Sequence, residues 1–139
     1  MKNNEKDYLD QVSQVFLNFA KIQKDFTNGR DGIKAVLNFI DEMSRKKNTS
    51  FALDDPILIK GSDIMNNMID KLEEQYKILK DIAAPESFAE FHSNLEKSLK
   101  LQLSGYKEMV NIFSDYKVTN VLKGGEKVDK GLELIGYNK

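Results

Sequence analysis

A seam of apolar residues near the start of the chain constrains its fold more than any other feature. The members recur at steps of four, three, four, three and four: Tyr8, Val12, Val15, Phe19, Ile22 and Phe26. This spacing places all of these side chains on one stripe of an α-helix, whereas a half-buried strand would alternate at every second residue. Related seams recur to the C-terminus, and almost no segment shows the period of a strand. The sequence therefore predicts an all-α fold, an antiparallel up-and-down helical bundle of four long helices and one shorter helix.

Turn and capping residues set the predicted ends of these helices. Asn28-Gly29 is suited to ending the first helix, Asp55-Pro56 places a capping carboxylate before a proline at the first helical position, and Pro85 marks another start. The predicted helices span residues 4–27, 32–46, 56–83, 86–115 and 117–136, with a loop over 47–55. Because the last two helices would together form a rod of about 75 Å, a break is required. We predict it near residues 114–117, with Gly124-Gly125 as the alternative position.

Chain length and charge narrow the classes of function. A chain of 139 residues with 40% hydrophobic content can bury one core without help from metals or disulfides, so we predict one helical-bundle domain over residues 1–139. The 21 basic and 22 acidic residues are interleaved and give a net charge of −1. No segment has the basic excess that nucleic-acid binding requires. The chain has no cysteine, which excludes thiol catalysis and cysteine-ligated zinc.

The N-terminal residues and the hydropathy pattern bear on cellular location. The N-terminus is polar, without the apolar region of a signal peptide, and no stretch approaches the roughly 18 consecutive apolar residues of a membrane-spanning helix. We therefore predict no transmembrane segment and a cytoplasmic location for the chain as given. Removal of an export signal before Lys2 would instead make it an extracytoplasmic, lipid-anchored protein.

His92 is the one histidine, and Glu96 follows it by one helical turn. We predict that His92 bonds a group on a neighbouring helix; the alternative is a general base or a metal ligand oriented by Glu96. A single histidine excludes both the paired Glu-x-x-His motifs of di-iron bundles and the His-Glu-x-x-His motif of zinc proteases. We therefore predict no catalytic, cofactor-binding or metal-ligating residue, no cofactor and no enzymatic activity.

Two groups of residues are left as candidates for binding. Phe51 and Leu53 lie in the loop over 47–55 and are expected to fold back on the bundle at a partner site. His92, Glu96 and Tyr106 lie on the fourth helix and are candidates for a pocket between helices. The interior glycines of the last helix also need an explanation, since each costs about 1 kcal/mol relative to alanine. We predict that Gly125 faces the core and lets another helix approach closely, while the other glycines loosen the last helix; the alternative is that they form a hinge.

Several short motifs characterise the second half of the chain: Ala84-Pro85-Glu86-Ser87-Phe88, His92, Leu95, Leu99, Gly105-Tyr106, Leu122-Lys123-Gly124-Gly125-Glu126 and Lys130-Gly131-Leu132-Glu133. With these motifs, residues 84–135 resemble a family of small uncharacterised helical-bundle proteins of Gram-positive bacteria, many of them lipoproteins, and Tyr8-Leu9 also fits. The resemblance implies an all-helical fold with no known catalysis, and so no site residues to transfer. The chain lacks the lipid-attachment cysteine of such lipoproteins.

Three hypotheses for function follow from these features. The first is a non-enzymatic binding or interaction module whose partner is another protein, recognised through an apolar stripe left exposed on the bundle. An alternative is a small-molecule-binding bundle with an inter-helix pocket near His92. A further alternative is an inhibitor or immunity-type protein of a mobile element. The ligand, the process and the oligomeric state have no signature in the sequence.

Overall fold

The computed structural model describes residues 3–28, 32–46 and 55–136, and these ranges are helical without a strand. The predicted all-α helical bundle is confirmed. The helices are α1 (Asn3–Asn28), α2 (Ile33–Lys46), α3 (Pro56–Asp81), α4 (Ala89–Met109), α5 (Ile112–Asp115) and α6 (Thr119–Leu134). A 3₁₀ turn, Glu86–Phe88, precedes α4.

Hydrogen bonds between α1 and α4 fix their relative direction. Tyr8 bonds His92 near the start of both helices, and Gln23 bonds Gln102 further along both, so α1 and α4 run in the same direction. Asn18 of α1 bonds Gln75 in the second half of α3, whereas the end of α1 lies beside the first half of α3, so these two helices are antiparallel. The bundle therefore has α3 running opposite to both α1 and α4.

The core is built on the seam that the sequence predicted for α1. Tyr8, Val12, Val15 and Phe19 are each at most 4% exposed, while Ile22 and Phe26 pack against the core at its edge. Burial of such side chains stabilises a fold by roughly 1.5–3 kcal/mol each. The start of α3 is also confirmed, because the Asp55 carboxylate accepts a hydrogen bond of 2.9 Å from the backbone amide of Ile57.

The predicted single helix over residues 86–115 is wrong at both ends. Its first turn is 3₁₀, closed by a bond from the Phe88 amide to the Pro85 carbonyl oxygen. Its last part separates as α5, which turns Phe113 onto Phe39 with ring centroids 4.7 Å apart. Tyr116, at φ 59°, then ends α5 and redirects the chain into α6. The break expected near residues 114–117 is therefore present, and a second one precedes α5.

Backbone contact between α4 and α6 explains the late glycines. A Cβ atom on Gly124 would collide with the carbonyl oxygen of Gly105, and one on Gly131 would lie 2.7 Å from the carbonyl oxygen of Ser98. Gly124 and Gly131 are seven residues apart and so share one helix face. The expectations for these glycines are wrong: Gly124 and Gly131 hold α6 against α4 instead of loosening it, and Gly125 sits beside this face, where the nearest atom to its Cβ position is Met109 Cε at 3.9 Å.

Some apolar residues are exposed although they recur at helical spacing, among them Leu37, Phe91, Val118 and Leu122. Leu37 lies on the outer side of α2, since the core-facing positions of that helix are taken by Val36, Phe39 and Met43. Phe91 is exposed for a different reason: α6 is too short to cover the end of α4 that carries it.

Candidate functional site

A long open groove runs between α1 and α6, with α4 as its floor. It consists of two adjoining parts that share Phe16 and Ile135 in their linings, one of about 730 Å³, called the wider part, and one of about 410 Å³, called the narrower part. We name it the α1–α6 groove. Its wider part is lined by Val12, Ser13, Phe16, Leu17, Phe91, Asn94, Leu95, Leu134, Ile135 and Gly136. Its narrower part is lined by Phe16, Phe19, Ala20, Gln23, Lys24, Thr27, Asn28, Leu99, Gln102, Tyr106, Val128, Leu132 and Ile135.

The wider part of the groove exposes large apolar side chains because α6 is short. The helix has 16 residues, against 26 in α1 and 21 in α4, so it leaves one end of the α1–α4 seam uncovered. The side chains exposed there are Phe16 at 40%, Leu17 at 62%, Phe91 at 46% and Leu134 at 46%. Single exposed apolar residues are ordinary, but a cluster around one concave surface is characteristic of binding sites.

A hydrogen-bonded chain of side chains forms the floor of the narrower part. The Gln23 amide donates to Gln102 Oε1 at 2.7 Å and to the Tyr106 hydroxyl at 3.1 Å. The Gln102 amide donates to Ser98 Oγ, which donates in turn to the Gly131 carbonyl oxygen at 2.6 Å. These bonds link α1, α4 and α6, so the polar groups are committed to holding the groove together.

His92 is buried against α1 and outside the groove lining. Its Nδ1 lies 2.8 Å from the Tyr8 hydroxyl, and its Nε2 lies 3.9 Å from Glu96 Oε1. A carboxylate beside Nε2 favours the proton on that nitrogen, which leaves Nδ1 to accept the hydrogen bond from Tyr8. The neighbouring-helix hydrogen bond expected for His92 is thus present, and the ring is occupied by it.

The structure does not bring the predicted site residues together. Tyr106 follows His92 by fourteen residues of α4, roughly 21 Å at 1.5 Å per residue, so His92 and Glu96 share no pocket with Tyr106. Of these three residues, Tyr106 lines the groove, whereas His92 and Glu96 do not. Phe91 and Leu95, which lie on either side of His92 in the sequence, also line it. Phe51 and Leu53 lie outside the residues that the structure describes.

Sequence reasoning missed Phe16, Leu17 and Leu134 as groove residues. Phe16 follows directly after Val15 and lies beside the four-three seam, so it widens the apolar stripe of α1, whereas Leu17 lies about 180° from the seam at 100° per residue. The widening by Phe16 is the available signal, because a bundle helix needs only the narrower stripe. Nothing comparable marks Leu134, whose exposure depends on where α6 ends.

Within residues 3–28, 32–46 and 55–136, no group of three or more histidine, aspartate or glutamate side chains is placed to hold a metal ion. Among the helices of the described ranges, none combines the length and apolar character needed to cross a membrane.

Comparison with protein-family models, with curated proteins and with solved structures found no match. The resemblance to helical-bundle proteins of Gram-positive bacteria therefore stays a prediction.

The burial of Tyr8 and Tyr106 makes the stability of the fold depend on pH in the alkaline range. Burial raises the pKa of Tyr8 above its ordinary value of 10.0, and the charge of Glu96 adds to the effect. Burial also raises the pKa of Tyr106; the hydrogen bond from Gln23 opposes this, and the charge of Asp129 adds to it. Because folding favours the neutral phenol, the resulting stability is complete below pH 10 and is lost as pH rises through the raised pKa values.

We expect Tyr8 and Tyr106 to ionise late in an alkaline titration followed by ultraviolet absorbance of phenolate. Tyr8→Phe and Tyr106→Phe should each remove part of the late phase. A wild-type titration with all tyrosines ionising together near their ordinary pKa, in folded protein, would contradict this expectation.

Proposed function

We propose that the protein is a non-enzymatic binding module whose α1–α6 groove holds an amphipathic helical segment of another protein. The observation that carries the proposal is the convergence of Phe16, Leu17, Phe91 and Leu134, all exposed, on one concave surface. Helix-in-groove recognition uses such surfaces, because the apolar face of the incoming helix is removed from water against them.

The dimensions of the groove support a helical occupant. Its lining runs along α1 from Val12 to Asn28, about 24 Å at 1.5 Å per residue, which matches a helix of about four turns. The polar floor supports the absence of catalysis, since Gln23, Gln102 and Tyr106 bond one another. A general base or nucleophile needs a free side chain aimed at the substrate.

Substitution of Leu17 tests the groove. We expect Leu17→Asp to weaken binding of a neutral apolar dye such as Nile red by about 10- to 100-fold, because the carboxylate replaces a contact of about 1.5–3 kcal/mol. Binding is measured by dye fluorescence in dilute protein. The matched control is Leu37→Asp on α2, since Leu37 is 54% exposed and Leu17 62%. Equal dye affinity in the two variants, both folded by circular dichroism, would overturn the proposal.

A small apolar molecule is a second candidate, favoured by the volume of the wider part. Its roughly 730 Å³ falls within the range of about 300–1,000 Å³ found for ligand pockets, and Ser13 and Asn94 supply polar side chains among the apolar lining. Ala20 separates the two candidates, because it lines only the narrower part. Ala20→Trp should obstruct a helical segment, which needs the whole groove, and leave a small ligand bound in the wider part.

A further inference from the structure

The wider part of the α1–α6 groove has an uncharged lining. Among its lining residues, all of which lie in the described part of the chain, none is an aspartate, glutamate, lysine, arginine or histidine. The narrower part contributes one charged side chain, Lys24. A charged group of an occupant would give up its hydration in the wider part without gaining a partner of opposite charge from the lining. The lining therefore favours a neutral group there.

Two polar side chains of this lining, Ser13 of α1 and Asn94 of α4, are available to an occupant. Neither side chain forms a hydrogen bond with another group of the described chain. The narrower part differs, because Gln23, Gln102 and Tyr106 bond one another there. An occupant without polar groups would take water away from Ser13 and Asn94 and leave their hydrogen bonds unmade, which is costly. The wider part therefore selects an occupant that offers a hydrogen-bonding group.

Aromatic rings form part of the apolar wall beside these two side chains. Phe16 of α1 and Phe91 of α4 both line the wider part and are exposed, so an incoming ring can pack against them. Aromatic rings pack favourably on one another in offset or edge-to-face geometry. With about 730 Å³, the wider part also has room for a large side chain. The occupant that fits best is neutral and aromatic, with a hydrogen-bonding group at its tip.

We propose that the helical segment held by the α1–α6 groove is anchored by a tyrosine side chain in the wider part. The inference rests on the proposed function and names the anchor of the partner. A phenol hydroxyl both donates and accepts, as do the Ser13 hydroxyl and the Asn94 amide, so it can satisfy either of them. Phenylalanine or leucine would leave both unpaired, and a site with unpaired polar groups discriminates strongly against such side chains. Tyrosine is also among the side chains that most often dominate binding energy at interfaces.

Side-chain analogues test the anchor: p-cresol stands for tyrosine and toluene for phenylalanine, each titrated into the protein and followed by amide chemical shifts in NMR. We expect p-cresol to bind the wild type about 3- to 10-fold more tightly than toluene, although toluene is the more hydrophobic, because the hydroxyl gains a hydrogen bond. The double variant Ser13→Ala/Asn94→Leu should reverse this preference. Asn67→Leu is the matched control and should keep it, since Asn67 is exposed on α3 and lines neither part of the groove.

Three results would overturn the tyrosine anchor: toluene preferred by the wild type, the same preference in the folded double variant, or a charged analogue, benzoate or benzylammonium, that binds more tightly than p-cresol. Dye binding separates this failure from that of the proposed function. Nile red binding that depends on Leu17, together with a preference for toluene, overturns the anchor alone. A wild type that binds neither the dye nor either aromatic analogue overturns both.

Discussion

Gly124→Ala should lower the free energy of unfolding by about 2–3 kcal/mol, at the upper end of the usual cost of overpacking a core. The new methyl group would meet the carbonyl oxygen of Gly105, and Met109 N lies 3.1 Å from the same position. These neighbours belong to the backbone of α4, so they cannot move aside by changing a rotamer. The helices must separate, and the bond from Ser98 to Gly131, on the same contact face, is strained with them.

The adjacent glycine provides the control for this experiment. A Cβ on Gly125 would have Met109 Cε at 3.9 Å as its nearest neighbour, so Gly125→Ala gains helix propensity without a collision. We expect Gly125→Ala to raise the free energy of unfolding by up to about 1 kcal/mol. Urea unfolding followed by far-ultraviolet circular dichroism measures both variants. Effects of the same sign in the two variants would contradict the backbone contact between α4 and α6.

Phe39→Ala should lower the free energy of unfolding by about 3–5 kcal/mol, more than Gly124→Ala. The Phe39 ring is fully buried, with its centroid 4.7 Å from that of Phe113 and 6.2 Å from that of Tyr116. It is the link between α2 and the segment around α5. Its removal leaves a cavity that both neighbours border, and the close packing around it limits how far they can collapse into it.

Leu37→Ala is the control on the same helix, because Leu37 faces outward and its truncation should cost under about 0.5 kcal/mol. Native-state hydrogen exchange adds a second measurement: amides of α2 should lose protection in Phe39→Ala before those of α1 do. A cost below about 1 kcal/mol, or uniform loss of protection, would show that Phe39 does not anchor α2.

The fold follows from the sequence because its strongest signals are local. The seam of α1 and the Asp55-Pro56 start depend only on helical spacing and on the chemistry of one cap. Gly124 and Gly125 show where such reasoning stops. Adjacent in sequence, they differ only in the direction each faces, which the packing of α6 against α4 decides. The position of Phe113, which turns away with α5, depends likewise on Phe39, a residue far away in the chain.

The candidate site was less accessible from sequence than the fold. The fourteen residues from His92 to Tyr106 span roughly 21 Å of helix, so the sequence alone was enough to reject a pocket shared by the two residues. The groove could not have been found from helical spacing, because the spacing of Phe91 in α4 predicts a buried core residue. Its exposure results from the end of α6 at Leu134, and no local pattern in α4 reports the length of a different helix.

The contact of Gly124 with α4 also fixes the rotational phase of α6. A helix held by its backbone along one face cannot turn about its own axis, so the direction in which Asp129 points is set from the opposite side of the helix. The shape of the α6 wall of the groove, which Leu132 and Ile135 line, is therefore determined in part by two glycines that line neither part of the groove. Substitution of Gly124 or Gly131 would therefore change the shape of the groove and the stability of the fold together, whereas substitution of exposed residues of α6 would leave the packing of α6 against α4 unchanged.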